Sequence, residues 1–188
     1  MNEKEASPLE IRIEEKDGKM TPSTGTYVRY LSDLRDVYYD TKAFETLLMK
    51  QRDTIVYEVS EFQGIGSDLI VGTTTMYPGR VGDEFFMTRG HFHKRRDRGE
   101  IYYTQSGKGL LLLQSRSGKT KILDLEPGLC THIPPDWAHR SVNTGSDCLI
   151  FLWVCSIDAG QEYDFIVKNG MRNRIIANDK GVTIITNP

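Results

Sequence analysis

The chain has 188 residues, with 24 Lys or Arg against 26 Asp or Glu and a net charge of −2 at pH 7. That length suits one domain with a sizeable core, and the near-neutral balance gives no general electrostatic reason to bind nucleic acid or a membrane surface. No apolar run approaches the roughly 20 residues of a spanning helix, the start is polar and acidic rather than leader-like, and the odd trio Cys130, Cys148 and Cys155 lacks Cys-x-x-Cys spacing, so a reducing cytoplasm is expected rather than disulfides or a thiolate metal site.

In chain order, the first twenty or so residues are charged and read as an arm or edge strand. Asp40 or Thr41 is placed to cap a short helix whose apolar residues Ala43, Phe44, Leu47 and Leu48 recur at helical spacing. It is the only helix predicted. Beyond Gln51 the pattern changes to strands at 54–62, 69–77, 84–92, 101–105, 110–114, 120–125, 130–133 and 149–157, separated by Gly, Pro, Asn and Asp turn signals. A last hairpin turns at Asn178 to Gly181. The sequence therefore predicts an all-β sandwich or barrel, with an N-terminal extension at 1–50 containing the short helix and extra strands, a barrel at 51–170 and a C-terminal hairpin at 171–188, all in one structural domain.

Residues 90–100 concentrate the chemistry. His91 and His93 share one face of a strand because side chains alternate with a period of two. A loop through Lys94 to Gly99 can return Glu100 to the same depth, and His139 supplies a third imidazole from a distant strand. His132 is read as an ordinary imidazole facing elsewhere. Three imidazoles and one carboxylate with open positions suit Fe(II), Mn, Ni, Co or Zn, without choosing among them. Lys94, Arg95, Arg96 and Arg98 read one by one as a solvated turn, and as a group as a positive mouth for an anion. Arg89 is read as an outer-face residue.

At these positions the sequence resembles the cupin superfamily. Gly90-His91-Phe92-His93, Glu100 and Gly107 match its first motif, and Gly128, Pro134, His139 and Asn143 its second, with Asp136 where many cupins carry glycine. The long gap from His93 to Glu100, with the stretches 77–84, 87–93, 99–102, 134–140, 142–145 and 158–160, resembles the cupin-type glucose-6-phosphate isomerases over roughly residues 30 to 170. The resemblance implies a jelly-roll barrel and a cytoplasmic homodimer acting on a sugar phosphate. It implies one divalent metal, usually Fe(II), on His91, His93, Glu100 and His139. It also implies a sugar-phosphate pocket at Thr74, Thr88, Gly90, Tyr102 and Tyr163, with Phe151 as a wall. Two positions depart from the family pattern: Gln161 replaces a common histidine, and Cys155 stands where an aromatic hydroxyl is often found.

The implied reaction moves hydrogen between C1 and C2 of an open-chain sugar. It proceeds either through a cis-enediol with Glu100 as the base or by a metal-assisted hydride shift. Other readings of the same barrel are another metal cupin enzyme, a dioxygenase or an isomerase of a different sugar phosphate, and a non-catalytic sugar-sensing cupin.

Overall fold

The computed structural model describes residues 7–187; residues 1–6 of the predicted arm lie outside that range. Two short strands, β1 (Arg12–Ile13) and β2 (Met20–Thr21), pair with each other ahead of β3 (Gly25–Tyr30), a 3-10 turn at Leu31–Leu34 and helix α1 (Thr41–Lys50). Then follow β4 (Ile55–Gln63), β5 (Leu69–Met76), β6 (Arg80–Val81), β7 (Glu84–Phe85), β8 (Phe92–His93), β9 (Glu100–Ser106), β10 (Gly109–Ser115), β11 (Thr120–Leu125), β12 (Cys130–Ile133), β13 (Trp137–Asn143) and β14 (Leu149–Ser156). The chain ends with β15 (Gln161–Glu162), helix α2 (Asp164–Asn169), β16 (Asn173–Asn178) and β17 (Gly181–Thr186).

One sheet runs β3-β4-β5-β14-β9-β12, and the facing sheet runs β13-β10-β11. A bridge between His91 and His139 attaches the start of β8 to β13, so the second sheet reads β8-β13-β10-β11. From β8 to β14 the chain crosses repeatedly between the two sheets. Two packed antiparallel sheets connected in this way form a jelly roll, the all-β cupin architecture expected. The core between them includes Val59, Met76, Leu111, Leu113, Leu149 and Phe151. Strand parity decides who faces it: along β9, Glu100, Tyr102 and Thr104 are buried while Ile101 and Tyr103 are exposed.

Helix α1 starts where its cap requires, with Asp40 Oδ1 accepting from the Ala43 amide at 2.8 Å, and it buries Phe44. The hairpin β16–β17 turns between Asn178 and Gly181 and adds to β7 through Ile176 and Glu84. Asn143 closes the β13–β14 turn: its Nδ2 donates to the Met76 and Asp147 carbonyls, and its Oδ1 accepts from the Gly145 amide.

Three expectations change. Residues 84–92 are not one strand: β7 ends at Phe85, and Gly90, at φ 77°, turns the backbone before β8 begins. Only glycine adopts that conformation without a side-chain clash. β13 and β3 were expected without bounds, as the strand carrying His139 and among the extra strands of the extension; β3 lies inside 1–50 yet pairs with β4 in the larger sheet. α2 was missed, because six residues are too few to display a helical period.

Candidate metal centre

β8, β9 and β13 bring four side chains to one point. Ligand-capable atoms of His91, His93, Glu100 and His139 all lie within 4.8 Å of one another, and all four residues line a cavity of about 260 Å³. The His91 and His139 rings stand 4.4 Å apart, edge to face, because their backbones are bridged.

Local hydrogen bonds fix the tautomers. His93 Nδ1 faces the Arg98 carbonyl at 3.0 Å and His139 Nδ1 the Trp137 carbonyl at 3.3 Å. A carbonyl only accepts, so each Nδ1 carries the proton and each Nε2 of a neutral ring presents a lone pair. Both Nε2 atoms point at the same oxygen, Glu100 Oε2, at 3.1 Å. At that distance each contact is made either by a proton on Nε2 or by a cation lying between the two atoms. His139 Nε2, buried, has no hydrogen-bond partner among the described residues. The donor set therefore fits a divalent metal, and the carbonyls behind His93 and His139 supply the outer support that ligating imidazoles require.

Burial and mutual charge pull the members of the cluster in different directions. Burial, reinforced by His139, holds His91 well below the usual imidazole range, so it is neutral and ready to ligate. Burial also opposes the charged form of His93, but the Glu100 carboxylate outweighs it and raises that group. Burial would raise Glu100, yet His139 and His93 overcome it and hold the carboxyl at about 2.

Thr74, Thr88, Gly90, Tyr102, Phe151 and Tyr163 all line the same cavity. Thr74 Oγ1 accepts from the Trp153 indole N–H at 3.2 Å, and Thr88 Oγ1 accepts from the Ser141 amide at 3.0 Å. Each threonine oxygen thus accepts one donor, and its own O–H has no acceptor among the described residues. Tyr102 stacks on Phe151 at 4.7 Å, forming an apolar wall beside these donors. Gln161 and Cys155 line the cavity too, with Gln161 Oε1 accepting from the Tyr163 hydroxyl at 2.5 Å. The Cys155 thiol is pushed up to about 12 by burial and the nearby Glu100, so it stays neutral.

The charged residues are arranged differently from the sequence expectation. Arg89 is not an outer-face residue: it lines the cavity while its guanidinium pairs with Asp36. The positive mouth is largely cancelled, because Arg96 pairs with Asp136, and Arg95 and Arg98 pair with Asp97 and Asp158. None of the three lines the cavity. Asp136 occupies φ 62°, a conformation open mainly to Gly, Asn and Asp, which explains an aspartate where a glycine is frequent. Tyr27 and Tyr57 reach the cavity from β3 and β4 and were missed. Bounding β3 as a strand would have raised Tyr27, but nothing local marks Tyr57. His132 is exposed and away from the site, as expected.

The sequence profile of the family described as "Glucose-6-phosphate isomerase (GPI)" matches residues 28–187. A glucose-6-phosphate isomerase of Sinorhizobium medicae is 45% identical over 177 residues, covering 93% of this chain and 83% of that protein. Those of Pyrococcus abyssi and Thermococcus kodakarensis are 40% and 42% identical over 183 residues, each covering 96% of this chain, and 96% and 95% of their own lengths. Among solved structures, a Bacillus subtilis oxalate decarboxylase is similar over 54% of this chain and 26% of its own, at 21% identity and a TM-score of 0.47. With a profile match over residues 28–187 and relatives of similar length at 40% to 45% identity, the chain belongs to the glucose-6-phosphate isomerase family, in its cupin form.

Proposed function

We propose that this protein interconverts glucose 6-phosphate and fructose 6-phosphate at one divalent metal held by His91, His93, Glu100 and His139. The observation that carries the reading is the meeting, in one cavity, of a His/Glu cluster able to hold a metal with threonine hydroxyls that have no acceptor among the described residues. When bound, the metal supplies Lewis-acid stabilisation of the negative charge that develops on the sugar's C1 and C2 oxygens. Fe(II) is the ion the family resemblance favours, with Mn, Ni, Co and Zn compatible with the same donors.

The remaining work belongs to the chain's own groups. The Thr74 and Thr88 hydroxyls and the Gly90 amide bind the phosphate as hydrogen-bond donors. The stacked Tyr102 and Phe151 exclude water from one side of the sugar, and Tyr163 closes the other beside Gln161. Glu100 is a weak base, because the flanking imidazoles favour its ionised form and a metal favours it further. The route that spares this carboxylate moves hydride from C2 to C1 while the O2–H proton passes to O1.

Two measurements test this. Purified protein incubated with glucose 6-phosphate is expected to form fructose 6-phosphate, to lose that activity with a chelator, and to regain it on adding Fe(II). Sugar-phosphate binding without turnover in the metal-loaded protein would instead identify a sensor. With substrate deuterated at C2, the label is expected to be retained in the product; extensive loss to water would restore Glu100 as the base.

A further inference from the structure

Arg140 follows the ligand His139 on β13, so it points to the opposite side of the sheet from the cavity, which it does not line. It is only 6% exposed and forms no ion pair with a carboxylate among the described residues. The nearby carboxylates are committed elsewhere. Glu84 is taken by the Arg174 guanidinium at 3.0 Å and the Tyr39 amide at 2.8 Å, and Asp36 by Arg89. A buried cation without a counter-charge costs stability, so its one strong engagement carries information. Both Nε and a terminal nitrogen of Arg140 donate to a single acceptor, the Arg89 carbonyl, with Nε at 3.1 Å.

That carbonyl belongs to the Arg89–Gly90 peptide. In a planar trans peptide the C=O and N–H point in opposite directions. Gripping the carbonyl from behind the wall therefore turns the Gly90 N–H toward the cavity, which both Arg89 and Gly90 line. The Gly90 amide is buried and has no hydrogen-bond partner among the described residues, an uncommon state for a backbone donor. The packing leaves no slack, since a Cβ on Gly90 would sit 3.1 Å from Arg140 Cβ and Nε.

We propose that Arg140 is a positioning residue for anion binding: by clamping the Arg89 carbonyl it aims and polarises the Gly90 amide toward the substrate's phosphate. The inference rests on the sugar-phosphate reading above. It adds a charge that acts through one peptide group without touching the ligand. Lysine cannot reproduce the planar two-nitrogen grip.

The test compares metal-loaded wild type with Arg140→Lys and Arg140→Met. In Arg140→Met, the KM for glucose 6-phosphate and the inhibition constant of inorganic phosphate are expected to rise about tenfold, with a smaller rise in Arg140→Lys. kcat is expected to stay within about threefold, with metal content unchanged. Wild type without turnover would remove the isomerase reading itself. An active wild type beside an Arg140→Met variant with unchanged KM and phosphate inhibition would overturn the positioning role alone. Should Arg140→Met fail to fold, the zinc-loaded wild type labelled with 15N-glycine decides. The Gly90 amide proton is expected to move downfield on adding inorganic phosphate, and an unmoved resonance would refute the proposal.

Discussion

Glu100 Oε2 sits 3.1 Å from two imidazole nitrogens, and the whole site follows from that crowding. Removing one participant leaves the others without a reason to converge. His139→Ala is expected to abolish stoichiometric metal binding, measured by elemental analysis, and to lower kcat/KM by more than about 100-fold. The fold should persist, because the other residues of β13 keep their ladder with β10. Much of this was readable from residue types and spacing: the His-x-His pair needs only strand parity to share a face. The tautomers were not, since the Arg98 and Trp137 carbonyls that set them are placed by loop conformation.

At the level of elements, the lip of the cavity is held by Arg116, on the turn between β10 and β11. Its guanidinium lies 4.1 Å over the Phe92 ring, its Nε donates to Asp136 at 2.9 Å, and a terminal nitrogen donates to Glu162 at 3.1 Å. Glu162 in turn accepts from the Phe165 amide in the first turn of α2. One side chain thus ties β8, the loop before β13, and the β15–α2 segment carrying Gln161 and Tyr163. Arg116→Ala is expected to cost about 1–2 kcal/mol, discounted for partial exposure. By calorimetry that corresponds to a fall of about 3–6 °C in Tm for a chain of this size, and KM should rise as the lip loosens. Helix α1 and the last hairpin were legible because a cap and a turn are local signals. The bounds of β3 and β13, and α2 altogether, were not, because a strand beside a Pro-Pro turn and a six-residue helix owe their form to the neighbours they pair with.

Across the whole molecule, ion pairing sets the response to acid. Asp136 is held below the usual carboxylate range by hydrogen bonds from Arg96 and Arg116, and Asp158 by Arg98 and Ser156. Glu100 lies at about 2. Groups depressed in the folded state contribute stability that is fully present above their unfolded values near ~4 and is lost as pH falls toward the folded ones. His91, lowered by burial, and His93, raised by Glu100 against its burial, act in opposite senses. The main acid loss of Tm in metal-free protein is expected below about pH 4, as these carboxylates protonate; a decline centred near pH 6 would show that protonation of the buried His91 governs instead.

By itself the sequence determined the all-β class and the four converging side chains, because alternation, glycine turns and motif spacing act over a few residues; the cavity threonines came through the family resemblance. Tertiary structure alone decided the charge map. Arg96 meets Asp136 forty positions away and Arg98 meets Asp158 sixty away, so a run that reads as a positive mouth is mostly neutralised. Arg89 turns inward, and Arg140 grips its carbonyl from another sheet strand. Coulomb interaction depends on distance in space rather than along the chain, and strand register sets which distant charges become neighbours.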